Sequence, residues 1–367
     1  MADRLGLLHS TDPATPYLSL HCRTAATPAE IDAAFHVDRT LLRHTTIRRT
    51  VFAMPGRVVP LAHGSFNAPL VAKLRQTLER WIADSPDTDE DPATFLAATE
   101  NAVIDALAAG GLTGNQLADA VPALQVTFEP APGKPYSRPQ RITSKVVEIL
   151  AAEARIARGR PTGADFTSGA WTWELAAPWF DGGAVEEIDT ATALAGLVSD
   201  HLAAFAPSTV TDLAWWTGLA KGKVNAALAR LGAEEVTLDD GGTGFVLAED
   251  PLVVADADAA DETVALLPGL DSTVMGWKQR SWYVDDRADH GVFDRNGNAG
   301  PTIWHGGRVV GVWTPLDDGA IALDVFDDIG TTARAAIDDE AERIREWLGD
   351  VRVKWRYPTA RTKALRS

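Results

Sequence analysis

A single cysteine, Cys22, stands in 367 residues, so no internal disulfide and no cysteine-rich zinc site can form. No apolar run approaches the length that crosses a bilayer, and residues 1–11 lack the apolar centre of a signal peptide. The chain is therefore expected in the cytoplasm. It has no glycine-rich loop with a following Lys to cradle a triphosphate and no metal-binding spacing of His, so no cofactor and no metal are expected. Positive charge is short as well: 34 Lys and Arg face 51 Asp and Glu, a formal net charge of −17. Such a balance repels a duplex at long range, because affinity for DNA comes mainly from cations neutralising phosphates. What remains is an ordinary folded composition, 46% hydrophobic and 23% charged, in a chain long enough for several compact units.

The charges segregate. Acidic residues crowd 84–91, 234–240 and 249–262, and basic ones crowd 39–57, 134–160, 221–230 and 352–366. That separation is compatible with a DNA-facing surface, and solvated faces of both signs explain it equally well.

From residue 210 the sequence reads VTDLAWWTGLAKGKVNAALARL. A helix-turn-helix needs a small residue inside its first helix, Gly at the turn for positive φ, and an apolar residue in the second helix. Ala214, Gly218 and Val224 fall at those offsets. Val236 and Leu238 then alternate with polar residues, 239–244 is a turn cluster, and 245–247 returns as a strand. Helix, turn, helix and hairpin make a winged helix, a unit that serves DNA reading and protein contacts alike. Lys221, Lys223, Asn225 and Arg230 lie on or beside the second helix. Lys and Arg there suit phosphates and Asn suits adenine, while a solvated helix face accounts for them too.

Two weaker copies precede it. Thr27-Pro28-Ala29-Glu30 joins a capping Thr, Pro at the first helical position and Glu three residues after the cap, predicting a helix through Phe35. A second helix is expected over 37–44 and a strand over 46–54, which sends Arg48 and Arg49 to opposite faces. Thr113-Gly114-Asn115-Gln116 starts a short helix, 142–157 reads as a longer amphipathic one, and 166–175 as a hairpin with Trp171, Trp173 and Leu175 on one face. Beyond Pro251, strands are expected at 301–304, 309–313 and 321–326, then a helix over 331–348 and a last strand over 351–355. The predicted class is α+β: winged-helix units over 1–105, 106–182 and 190–250, with linkers near 85–92 and 181–189, and a C-terminal β domain over 251–367.

Five segments, HSTDPATPYLSL at 9–20, IRRTVF at 47–52, STVTDLAWWTGL at 208–219, LLPGLDSTVMGW at 266–277 and GPTIWHGGRVVGVW at 300–313, carry a family likeness. They resemble the bacterial winged-helix DNA-binding domain-containing proteins that include the AlkZ/YcaQ-like DNA glycosylases. The resemblance implies tandem winged helices and a C-terminal β-barrel around a concave cleft facing double-stranded DNA. It implies hydrolysis of the N-glycosidic bond of alkylated, N7-substituted purines, in DNA repair or genotoxin self-resistance; a monomer is expected. It also implies a Gln-x-Gln or Gln-x-Asp motif ahead of an Asp-Pro-like segment, positions held here by His9-Ser10-Thr11 and Asp12-Pro13. A further helix ahead of that motif is implied too, whereas residues 1–8 are all that precede His9.

Cleaving that bond needs little covalent help when the base is already cationic; the enzyme must hold a water, stabilise an oxocarbenium-like sugar and exclude solvent. His9 and Thr11 are then candidate water positioners, His9 also a weak general base, and Asp12 an electrostatic support for the sugar cation. Ordinary loop chemistry explains the same residues as the start of a turn before Pro13. The candidate DNA contacts are Arg48, Arg49, Thr50, Lys221, Lys223 and Asn225; Arg48 and Thr50 match an Arg-x-Thr pattern of the family, and surface arginines are the other reading. Asp271 is a second carboxylate candidate, for catalysis or for a buried hydrogen-bond network. Trp215 and Trp216 fit a core; Trp277 and Trp282 either pack or stack on an unpaired base. The alternative function is a non-catalytic winged-helix protein that binds DNA or a protein partner.

Overall fold

Among the described residues, three capping boxes set helix starts. Thr27, Thr113 and Thr209 each accept the backbone N–H of the residue three positions on, whose side chain reaches back to the cap. They open the helices Pro28–His36, Gly114–Ala120 and Val210–Thr217. A computed structural model describes residues 1–131, 133–135, 137–248, 250, 262–285 and 289–367; most of the acidic stretch 249–262 lies outside the described residues.

Gly218 ends the helix Val210–Thr217 at φ 72°, the helix Lys221–Leu231 follows, and Glu234–Thr237 pairs antiparallel with Thr243–Val246. Leu213, Val224 and Leu228 close this part against Leu194 and Val198 of the helix Thr190–Phe205. The same order occurs upstream: helices Pro92–Leu107, Gly114–Ala120 and Thr143–Ala152, then the paired strands Ile156–Pro161 and Trp171–Leu175. In both places the residue ahead of the capping Thr bridges to the hairpin, Leu112 to Trp173 and Ser208 to Phe245. The core of the upstream part reaches back to Leu78 and Ile82 of the helix Ala68–Ala83.

The two ends of the chain share one core. Near the N-terminus, Val51–Pro55 is the central strand of three, flanked by Leu8–His9 and Leu41–Thr45. Near the C-terminus, Val264–Leu267, Thr302–His305, Arg308–Pro315 and Ile321–Val325 form an antiparallel sheet in that order. Leu8, Leu18 and Phe35 from the first region pack with Ile303, Trp313, Ile337 and Ile344 from the last, the latter two on the helix Thr331–Leu348. Each fully buried aliphatic side chain here stabilises the union by roughly 1.5–3 kcal/mol. Among the described residues no helix is long and apolar enough to cross a membrane.

The α+β class holds, and several local expectations do not. Residues 37–44 are not a helix: Arg39 adopts φ 53° and the strand Leu41–Thr45 begins two residues later. The expected strand over 46–54 is broken by a tight turn at Ile47–Arg49, so Arg48 and Arg49 sit on that turn rather than on a strand. The helix expected over 142–157 is Thr143–Ala152, stopped where Ala154 takes φ 53°; Trp171–Leu175 then pairs with Ile156–Pro161 instead of folding onto 166–170. Residues 351–355 form no strand. The four C-terminal strands form an open sheet among the described residues, where a closed barrel was implied.

Candidate active site

His9 stands opposite Phe52 in the N-terminal sheet, the two rings edge-on at 5.3 Å. Its imidazole opens onto a cavity of about 150 Å³. Arg48 and Thr50 line the same cavity, with Phe205 and Trp216 from the helical part and Leu270, Ser272 and Asn298 from the C-terminal part. The ring keeps some surface within the concavity yet is enclosed by protein. Burial, reinforced by the nearby Arg48 guanidinium, lowers its pKa to about 4. His9 is therefore neutral at physiological pH and no match for a near-neutral general base. Its Nδ1 accepts the Thr11 N–H at 3.4 Å. The tautomer that suits this bond carries its proton on Nε2, a donor that can hold a water oxygen.

Thr11 and Asp12 follow His9 but do not line that cavity. The Thr11 hydroxyl oxygen is buried without a hydrogen-bond partner. Asp12 is buried, and its two carboxyl oxygens accept the Ala14 and Arg356 N–H groups at 3.1 and 2.8 Å. Burial raises its pKa against the pull of those two amides. Its oxygens are committed to fixing the turn on which His9 and Thr11 sit.

Strain collects around the cavity. Arg48 and Arg49 have φ of 52° and 58° and Leu270 has φ 61°, left-handed conformations that cost a non-glycine residue about 1–3 kcal/mol. They persist because their neighbours over-determine them. Arg48 donates through Nη2 to the Trp216 carbonyl at 3.2 Å, and its guanidinium lies 5.3 Å from the Trp215 ring. It also lies against Gly218, where an added Cβ would meet Arg48 Cγ at 2.9 Å. Gly218→Ala thus meets both a positive φ and a clash, and is expected to cost about 1–2 kcal/mol. Thermal unfolding checks this; an unchanged Tm would mean that the turn and Arg48 are not locked together. Arg49 lines a different groove, shared with Lys73, Lys145 and Glu148.

Asp271 belongs to a buried network. It is fully buried, accepts Arg23 Nη2 and Nη1 at 2.7 and 2.9 Å, and takes further bonds from Ser19 Oγ at 2.6 Å and Thr273 N at 2.9 Å. Burial opposes its charge, yet Arg23 and these donors hold its pKa below the ordinary carboxylate value. This clamp fixes the Leu270–Ser272 wall, where Ser272 Oγ also donates to the Leu7 carbonyl at 2.7 Å. Sequence reasoning singled out Asp271 in this stretch but missed Ser272 and Asn298. Asn298 Nδ2 donates to Asp294 at 2.9 Å, leaving its Oδ1 as an acceptor at the cavity. The Asp294–Asn298 turn is the signal that could have found it, since Asx chemistry fixes such amides.

Lys221, Lys223 and Asn225 are exposed on the helix Lys221–Leu231, outside the cavity; Lys221 Nζ donates to Thr211 Oγ1 at 3.0 Å. Trp215 is stacked by both Arg48 and Arg280, and Trp277 is buried with its Nε1 on the Pro207 carbonyl at 3.1 Å. Trp282 alone of these is half exposed, beside a 550 Å³ groove that Asp239 and Asp240 make unfavourable for a phosphate backbone.

Four histidines give a pH signature. His9 and His36 are held at about 4, and His44 and His201 at about 3, by burial. All lie below the unfolded value, so the unfolded chain takes up the protons. Their stabilisation is complete above about pH 6.5 and is lost as pH falls toward 4, at about 1.4 kcal/mol per pH unit for each ring. The Tm is expected to drop by roughly 10 °C between pH 7 and pH 5. A flat Tm across that window would mean that these rings are not held neutral.

A strained hairpin turn, a helix-turn-helix and a C-terminal wall converge on one cavity with His9 in its wall. The chain belongs to the AlkZ-like DNA glycosylase family, described as "DNA glycosylase AlkZ-like", which matches residues 2–347. Among solved structures it is similar to Streptomyces sahachiroi DNA glycosylase AlkZ, with a TM-score of 0.69 and 21% identity over 95% of this chain and 90% of that one. At that identity the likeness shows the fold. No curated protein matches significantly. The family makes DNA the partner and favours the glycosylase reading over a non-catalytic winged-helix protein.

Proposed function

We propose that this protein, as a monomer, hydrolyses the N-glycosidic bond of N7-alkylated purines in duplex DNA. The observation that carries the reading is His9 in the wall of a cavity framed by strained backbone, within a DNA glycosylase family chain. In this reading His9 Nε2–H and Asn298 Oδ1 orient one water toward the anomeric carbon. The water oxygen bonds to C1′ as the C1′–N9 bond breaks, the cationic base leaves as a neutral N7-alkylpurine, and the water's proton passes to solvent. No strong base is needed because the leaving group is already activated. Thr11 acts one step back, its N–H fixing the His9 ring through Nδ1, and Asp12 supports the site by holding the turn that carries both. At about 150 Å³ the cavity falls below the roughly 300–1,000 Å³ of small-molecule pockets and has room for a sugar edge and a water rather than a bulky adducted base.

The same reading makes the repeated helix-turn-helix and hairpin units winged helices, in the divisions 1–105, 106–182 and 190–250 ahead of 251–367. Arg48, Arg49 and Thr50 then meet the strand at the lesion, and Lys221, Lys223 and Asn225 meet the duplex farther out. The test is incubation of the purified protein with a duplex carrying N7-methylguanine. Release of the free base above the spontaneous rate is expected. Binding without release would leave a DNA-binding protein without this chemistry.

A further inference from the structure

Three arginines, one from each of three basic stretches, gather along residues 169–173. Arg43 is 2% exposed; its guanidinium carbon lies 3.9 Å from the Phe35 ring centre and 4.4 Å from that of Trp171. Its Nε donates to Ser10 Oγ at 3.2 Å, and neither Nη1 nor Nη2 has a hydrogen-bond partner. Arg158 lies over Trp173 at 5.4 Å, two residues along the same strand and on the same face as Trp171. Arg356 completes the row: an added Cβ on Gly169 would meet its Nη2.

None of the three makes an ion pair among the described residues, although this chain carries 51 Asp and Glu. Other arginines find carboxylates readily, Arg23 with Asp271 and Arg75 with Glu100 among them. The nearby carboxylates make their direct bonds elsewhere, Asp12 to two amides and Asp32 to Arg160, and attract Arg356 and Arg43 only from beyond ion-pair distance. Burial first, then the charges of Arg43 and Arg356, lower Arg158's pKa to about 10. Arg43 is a buried cation with no carboxylate in ion-pair contact among the described residues, and two further guanidiniums beside it add to the cost unless an anion joins them. The aromatic faces hold the guanidiniums in place beforehand, which lowers the entropy cost of binding.

We infer that Arg158 and Arg356, backed by Arg43, form a seat for a phosphate oxyanion on the side of the His9-Ser10-Thr11 segment away from the His9 cavity. Ser10 turns toward Arg43 as His9 turns toward the cavity, so a single thickness of this segment separates the two. Arg158 is partly exposed and Arg356 exposed, which lets a phosphate reach them while Arg43 supplies field from beneath. In the glycosylase reading, on which this assignment rests for its substrate, the phosphate is a DNA phosphodiester next to the lesion. Fork-shaped guanidiniums suit that ion better than lysines.

The experiment compares wild type with Arg158→Gln/Arg356→Gln, leaving Arg43 intact to preserve folding, in two arms. Duplex binding is titrated against salt, where losing one phosphate contact is expected to flatten the log–log slope by about 0.9 and weaken affinity by roughly 10-fold. Tm is measured with inorganic phosphate against chloride at equal ionic strength. A flatter slope assigns the seat to a DNA phosphodiester. An unchanged slope with a phosphate-dependent Tm rise in wild type alone assigns it to the free anion. No difference in either arm overturns the seat. A wild type that fails to bind duplex defeats the glycosylase reading instead, and the phosphate arm still decides the seat.

Discussion

Replacing His9 by alanine is expected to slow base release by about 100-fold or more with duplex affinity unchanged, because only the water's orientation is lost. The ring's other contacts are few: the edge of Phe52 and one backbone N–H from Thr11. His9→Gln restores a hydrogen-bonding side chain on the same strand and should recover much of the rate. The pH profile separates positioning from proton transfer. With the His9 pKa at about 4, wild-type rates should stay flat from pH 6 to 8. A rate that falls below pH 6.5 in wild type but not in His9→Gln would make His9 a general base after all. Equal rates for wild type and His9→Ala would remove it from the chemistry altogether.

The largest stability loss is expected from Arg23→Met. It leaves Asp271 fully buried with no cation, and breaking a buried pair in this way costs about 3–5 kcal/mol. The methionine keeps much of the stem's packing, so the loss reports charge rather than volume. Adding Asp271→Asn removes the stranded charge and should return more than half of the stability, while Ser19 and Thr273 still reach the amide. Denaturant unfolding of the four proteins in the cycle measures it. Additive losses would mean that the two residues do not act as a pair. The clamp also fixes Leu270 and Ser272 at the cavity wall, so the single variant should lose activity beyond its loss of folded protein.

What was legible in the sequence was what is decided locally. A capping Thr with an acid or amide three residues on, and a glycine at a turn, fix the backbone whatever surrounds them. Thr27, Thr113 and Gly218 accordingly sit where local chemistry puts them. The strand Leu41–Thr45 was misread because Arg43 and His44 are polar and their pattern suited the outside of a helix. Both are buried, Arg43 by an aromatic cage and His44 by Asn67 at 3.0 Å. The turn at Arg48 and Arg49 was misread because nothing in two arginines announces positive φ; the contacts with Gly218 and the Trp216 carbonyl that hold Arg48 come from 168–170 residues away.

The site divides along the same line. The resemblance pointed to His9, Arg48 and Thr50, and all three line one cavity. Ser272 and Asn298 come from the far end of the chain, and only the shared core of the two termini brings them there. Asp12 illustrates the reverse: a plausible carboxylate in the sequence, it spends both oxygens on backbone amides, one of them Arg356 near the other terminus.

A structure of the protein with a duplex containing a cationic aza-sugar, a mimic of the oxocarbenium-like sugar, tests the central claim most directly. The ring nitrogen should sit at the mouth of the His9 cavity, with one ordered water between it, His9 Nε2 and Asn298 Oδ1. A sugar bound along some other face, with that cavity closed to the DNA, would contradict the account.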